Sequence, residues 1–168
     1  MKDKSHRREF QCEPALERIE HIMELKEKHK AGLKPATYED YRHFYPKYVW
    51  FDKKCGKIIW FSRVGEYATH GRYENLQPDE WVECMSYEME GVEQRLREIS
   101  NDQKKDAKGY VSVADMKGLG LKAIAQRKAI INLGNNAGEM YPEVIDKVYL
   151  INAPWFVSKV FNVFKPLL

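Results

Sequence analysis

Three observations predict an α/β domain with a mixed, mainly parallel sheet flanked by helices. Two short aromatic-rich runs, YVWFD and KIIWF, stand on either side of a glycine-containing turn and read as an antiparallel hairpin. After the hairpin the periodic segments follow the order helix, strand, helix, strand, helix, the signature of βαβ units with parallel strands and right-handed crossovers. The last strand carries a nearly continuous apolar run, Val148-Tyr149-Leu150-Ile151, as a strand buried on both faces beneath helices would.

Taken in order, Met1 to Glu13 form a polar tail. Pro14 to Lys30 reads as a helix, with Leu16, Ile19, Ile22, Met23 and Leu25 at mixed three- and four-residue spacing. Gly32 and Pro35 end it, and Thr37 to Arg42 fits a short second helix. Tyr48 to Asp52 and Lys57 to Phe61 are the hairpin strands, and Gly56 in the turn between them is free to take positive φ. Pro78 to Ser100 is the longest helix. Its stripe of Val82, Met85, Met89, Val92, Leu96 and Ile99 faces a core, since the pattern covers too few heptads for a coiled coil.

Asn101 to Lys108 is a polar loop, Tyr110 to Met116 a strand, and Leu121 to about Asn135 a helix with Leu121, Ile124, Ile130 and Ile131 on its apolar side. Tyr141-Pro142-Glu143 is a turn, because proline lacks an amide donor and biases the preceding residue away from helix. Ile145 to Asn152 is the final strand. Asn152-Ala153-Pro154 suits a helix start, with Asn152 as cap. The helix that follows carries Trp155, Phe156, Val157, Val160, Phe161, Val163 and Phe164, apolar on most of its circumference, and calls for deep burial or a greasy neighbour.

At 168 residues the chain is one domain in size, and 43% hydrophobic residues make it globular rather than disordered. A net charge of +3, spread among 32% charged residues, argues against nucleic acid and is compatible with an anionic membrane surface. Cys12, Cys55 and Cys84 are odd in number and lack metal-ligand spacing, which points to a reduced, cytoplasmic setting. No signal peptide is read at Met1 to Arg8, and no run approaches the ~18 apolar residues of a membrane span.

Catalytic signals are weak. Lys117-Gly118-Leu119-Gly120-Leu121-Lys122 sits between a strand and a helix, yet it lacks the third glycine of a dinucleotide fingerprint and the lysine-hydroxyl ending of a P-loop. A tight strand-to-helix turn accounts for it without a nucleotide. His6, His21, His29, His43 and His70 show no paired ligand spacing, and no serine-hydrolase elbow is present. No catalytic residue, metal ligand or cofactor is assigned, and a non-enzymatic role is expected.

Several strings in a fixed order carry a resemblance: Gly56 in the first hairpin, Asp115-Met116-Lys117-Gly118, Tyr141-Pro142-Glu143, the strand ending Ile151-Asn152-Ala153-Pro154, and Phe164-Lys165-Pro166. Over Tyr45 to Leu168 the chain resembles the CRAL-TRIO lipid-binding family, in its phosphatidylinositol transfer branch. The resemblance implies an incomplete lipid-binding domain over residues 37–168. Before it, residues 1–36 would be a tail and helix remaining from the family's N-terminal bundle. It also implies that the gate helix and last strands, which in the family follow Phe164-Lys165-Pro166, are missing, so that either the chain is a truncated product or a protein partner covers the exposed edge.

The site residues follow from the same resemblance. Glu143 would lie at the polar end of the lipid cavity, in an ion pair near the headgroup. The positions matching the family's choline site are Val49, Trp60, Tyr87, Tyr110, Ser112 and Ala137. Tyr87 fits, Trp60 supplies an aromatic wall and Ser112 a hydroxyl, while Val49 and Ala137 offer neither and Tyr110 is larger than the serine it replaces. Trp155 and Phe156 complete the candidate walls. The implied function is to bind a phospholipid or other hydrophobic ligand, and to move it between membranes through transient peripheral contact. Two other readings stay open: a regulatory module or non-functional fragment of a longer lipid-transfer protein, and a small enzyme using the Lys117 to Lys122 loop.

Overall fold

The computed structural model describes residues 12–69, 76–103, 107–120 and 138–157. Two helices, α1 (Cys12–Lys28) and α2 (Tyr38–Phe44), precede the strands β1 (Lys47–Asp52) and β2 (Lys57–Ser62). A short helix α3 (Val64–Thr69), the long α4 (Pro78–Gln103), β3 (Tyr110–Asp115) and β4 (Ile145–Ile151) follow. The expected helices over 121–135 and after Pro154 lie outside the described residues, apart from the turn in which Val157 N donates to the Pro154 carbonyl at 2.9 Å. Sequence periodicity missed α3, whose six residues are too few to show a helical repeat.

The sheet is mixed and mainly parallel, in the order β1-β2-β3-β4. β1 and β2 are antiparallel, as the hairpin reading expects, with Val49 opposite Trp60 and Trp50 opposite Ile59. β2–β3 and β3–β4 are parallel. Asp52 organises the hairpin turn: its Oδ1 accepts from Lys54 N at 2.8 Å and Cys55 N at 3.3 Å, and Gly56 takes φ +65°.

The stripe on α4 meets the sheet as expected. Val82, Met89, Val92 and Ile99 are buried with Ile58, Trp60 and Tyr110, and Met85 and Leu96 pack at the margin. Tyr41, Tyr45, Leu76 and Cys84 form a second cluster where α2 meets the start of α4. Full burial holds the Cys84 thiol above its usual range and pushes the Tyr45 hydroxyl up to about 12.

Three expectations need correction. Within the described residues, β4 ends the sheet and leaves Ile145, Val148, Tyr149 and Ile151 exposed, although its apolar run reads as buried on both faces. Such a run records that both faces are apolar, not which element covers them. Asn152, expected to cap a helix, instead has φ +53°, and its side-chain amide donates to Asp115 Oδ1 at 2.9 Å. The same Asp115 oxygen accepts from Lys117 N at 2.9 Å, so one carboxylate ties together the ends of two parallel strands. α1 differs as well: Leu16, Ile19 and Met23 remain exposed, and the helix is anchored through Leu25, Lys26 and the buried His29 just beyond its end.

Candidate functional site

A cavity of about 890 Å³ lies between the hairpin and α4, within the usual size range of ligand pockets. The strand alternation supplies one wall. Val49 and Trp60 are cross-strand partners, and Ile58, two residues from Trp60, belongs to the same face. Tyr87, Glu88, Gly91, Gln94 and Arg95 of α4 recur at helical spacing and supply the other wall. Tyr38 and Arg42 of α2 complete the lining, and the Arg95 guanidinium lies 5.1 Å from the Phe51 ring. Gly91 leaves the helix surface bare, with nothing within 4 Å of where a Cβ would stand.

Arg42, Glu90, Arg95 and Arg97 also line this cavity, and its buried ion pair is that between Lys47 and Glu88, whose side chains are only 8% and 12% exposed. Both carboxylate oxygens of Glu88 are engaged further: Tyr38 donates to Oε1 at 3.1 Å and Tyr41 to Oε2 at 3.3 Å. Lys47 also donates to the Tyr41 hydroxyl, and its Nζ lies 4.0 Å from the Tyr41 ring centroid and 5.1 Å from that of Trp60. Burial holds the Lys47 ammonium below the usual lysine range, and Glu88 pulls the other way. Burial and the Glu88 charge raise the Tyr38 hydroxyl, which therefore stays a donor. Tyr87 meets Tyr38 edge to face at 5.0 Å. The result is an aromatic box that already holds a cation and its counter-charge.

The structure brings Trp60 and Tyr87 together in this cavity and does not bring the other expected site residues there. Ser112 neighbours Trp60 across the β2–β3 register, outside the cavity lining. Glu143 is exposed, with φ +59°, in a smaller cleft of about 430 Å³ beside Ser100, Gly109 and Val144; Arg97 lines both cavities. The expected ion pair of Glu143 is not seen among the described residues. At this turn it is Tyr141 that is tied in, with its hydroxyl near Ser86 and Glu90 and Lys26 Nζ 4.4 Å over its ring. Trp155, 73% exposed, and Phe156 meet edge to face at 5.9 Å beyond β4, away from the cavity. Ala137 lies outside the described residues, and Val49 and Tyr110 flank Trp60, Tyr110 with its ring 5.4 Å away.

Sequence reasoning missed Lys47, Glu88, Tyr38 and Tyr41. A signal existed for two of them: Lys47 shares the pleat face of Val49, and Glu88 follows Tyr87 directly. Nothing local says that the two meet, because they are 41 positions apart and belong to different elements. Among the described residues there is no cluster of potential metal ligands, and no helix is long and apolar enough to cross a membrane.

Comparison with known proteins agrees with this architecture. The chain is 29% identical over 128 residues to the SEC14 cytosolic factor of Eremothecium gossypii, covering 74% of this chain and 41% of that protein. It is 30% identical over 126 residues to the SEC14 cytosolic factor of Yarrowia lipolytica, covering 74% of this chain and 26% of that one. The chain thus spans less than half the length of these curated relatives. The crystal structure of Sfh5 superimposes with a TM-score of 0.61 at 16% identity, over 81% of this chain and 46% of that one, a likeness of fold. The family model of the CRAL/TRIO domain matches residues 44–168, and the chain belongs to that family.

Proposed function

We propose that this chain binds a phospholipid of the phosphatidylinositol type, or another hydrophobic ligand, between hairpin and α4 and carries it between membranes without covalent chemistry. The observation that carries the proposal is the cavity itself. Trp60 and Tyr87, both singled out from sequence, line one space of about 890 Å³ in which Val49, Trp50, Phe51, Ile58 and Val92 supply apolar wall and Arg42, Lys47, Glu88, Glu90, Arg95 and Arg97 supply charge, the mixture an amphipathic lipid requires. Burial of acyl chains would supply roughly 0.8 kcal/mol per methylene. Family membership supports the same reading, as does the resemblance to the lipid-transfer branch. Residues 37–168 would form the lipid-binding unit and 1–36 its leading tail and helix, working in the cytoplasm with transient contact to membrane surfaces.

The test is to purify the chain as a monodisperse species, extract it with solvent and identify bound lipid by mass spectrometry. A stoichiometric phospholipid supports the proposal. Folded protein that carries no lipid and takes none from vesicles rejects it. That outcome would favour the second reading, an interaction module, for which the exposed apolar residues Ile145, Tyr149 and Ile151 on one face of β4, with Val148 exposed on the other, are the specific observation.

A further inference from the structure

We propose that Lys47 is a headgroup-selecting residue: its ammonium fills the aromatic box formed with Tyr41, Trp60 and Glu88, so the cavity refuses cationic, choline-type headgroups and accepts neutral or anionic ones. The inference rests on the lipid-binding reading above and adds to it the class of headgroup excluded.

A quaternary ammonium is recognised by aromatic faces within about 6 Å, and binding strengthens when a carboxylate is close and water is kept out. Those components are all present. The Tyr41 and Trp60 rings stand 4.0 and 5.1 Å from a single point, and Glu88 lies against it. That point is the chain's own Nζ. The lysine is not a stray surface cation that moves aside without cost. It is 8% exposed, contacts both Glu88 and the Tyr41 hydroxyl, and reaches the box from a strand whose backbone is paired, Lys47 opposite Ser62. Withdrawing it would leave Glu88 buried without a counter-charge, a state far less favourable than the paired one. A second cation in the box would meet like charge at short range in a poorly screened setting. A phosphate or inositol headgroup, by contrast, has no need of the box.

The inference predicts that replacing Lys47 by a neutral side chain opens a cation site. Tetramethylammonium chloride is the first probe, titrated by NMR against the intact chain, Lys47→Ala, and, if that variant fails to fold, Lys47→Ala with Glu88→Gln, which leaves no lone buried charge and keeps the space between the rings vacant. A gain in affinity on the order of tenfold or more is expected for Lys47→Ala, and a smaller but saturable gain for the double variant, which has lost the carboxylate, with no saturable shift at the Trp60 indole of the parent chain. The second probe is a vesicle containing equal phosphatidylcholine and phosphatidylinositol, with bound lipid identified by mass spectrometry. The parent should take phosphatidylinositol over phosphatidylcholine, and the variant should lose that preference.

Saturable tetramethylammonium binding by the parent chain at Trp60 overturns the proposal, as does a folded variant without the gain. A parent that takes both lipids equally overturns it too. If the parent takes neither lipid, the lipid-transfer reading fails, while the tetramethylammonium titration still decides whether Lys47 occupies the box.

Discussion

The Tyr141 hydroxyl lies 3.0 Å from the Ser86 carbonyl and 3.1 Å from Glu90 Oε1, and its single proton serves both acceptors. Tyr141 is 3% exposed, so this contact joins the turn before β4 to the middle of α4 inside the core. Lys26 extends it, with Nζ 2.7 Å from Glu90 and 3.1 Å from Glu93 while sitting over the Tyr141 ring. Three elements distant in sequence thus share one polar knot.

Tyr141→Phe keeps the ring and removes the donor. It should cost about 1 kcal/mol, read as a shift in urea midpoint with an unchanged slope. Lys26→Met should cost about 1–2 kcal/mol, between exposed and buried pairs, because Glu90 and Glu93 are left facing each other. In a double-mutant cycle with Glu90→Gln the two losses should not add. Additive losses would dissolve the knot into independent contacts.

His29 should make stability fall on mild acidification. Burial, with Lys28 nearby, holds its imidazole below the usual histidine range, against the opposing pull of Asp79 and Glu83. The unfolded chain takes up a proton near pH ~6.5 that the folded chain refuses until lower pH. The stabilising effect is therefore complete above about 6.5 and is lost as pH falls towards the folded value. Urea midpoints measured from pH about 7.5 to 5 should decline, and His29→Gln should flatten that decline. Asp115 and Asp146, held low by Asn152 and Lys57 respectively, contribute stability that is lost only further down, as pH falls below ~4.

Gly109→Ala should be severe for its size. The residue has φ +100°, and an added Cβ would stand 2.4 Å from the Val144 carbonyl, the group that accepts from Tyr110 N. Strain and lost pairing together predict roughly 2–3 kcal/mol of destabilisation in chemical denaturation. Gly91→Ala on α4, with open space around it, should instead stabilise by about 0.5–1 kcal/mol. Equal effects at the two glycines would contradict the geometry.

If the hairpin–α4 cavity is the lipid site, Tyr87→Ala should lower phospholipid occupancy roughly tenfold, the effect of losing about 1.4 kcal/mol of contact. Glu143→Ala, in the separate cleft, should leave it unchanged. Competitive loading from vesicles followed by lipid extraction reads both. The reverse result would move the site to the turn after Met140.

Much of the fold was legible because its signals are local. The hairpin register follows from two aromatic runs and a turn that Asp52 and Gly56 close within five residues. The α4 stripe follows from a repeat of three and four residues, and the structure buries those positions against Ile58 and Trp60. Of the site, Trp60 and Tyr87 came through the resemblance and do share a cavity, while Ser112, Trp155 and Phe156 stand apart from it.

What the sequence determined by itself was the alternation of elements, the mixed sheet and the family, since periodicity and short ordered strings lie along the chain. Only the tertiary structure decided the electrostatics of the cavity. Lys47 and Glu88 read as an ordinary basic and an ordinary acidic residue, 41 positions apart. They become a buried pair because parallel pairing of β2 and β3 places α4 across the sheet, and because Tyr38 and Tyr41 arrive from α2 to satisfy the carboxylate. Such a pair depends on burial and on distance between remote elements, and neither quantity is written at any single position.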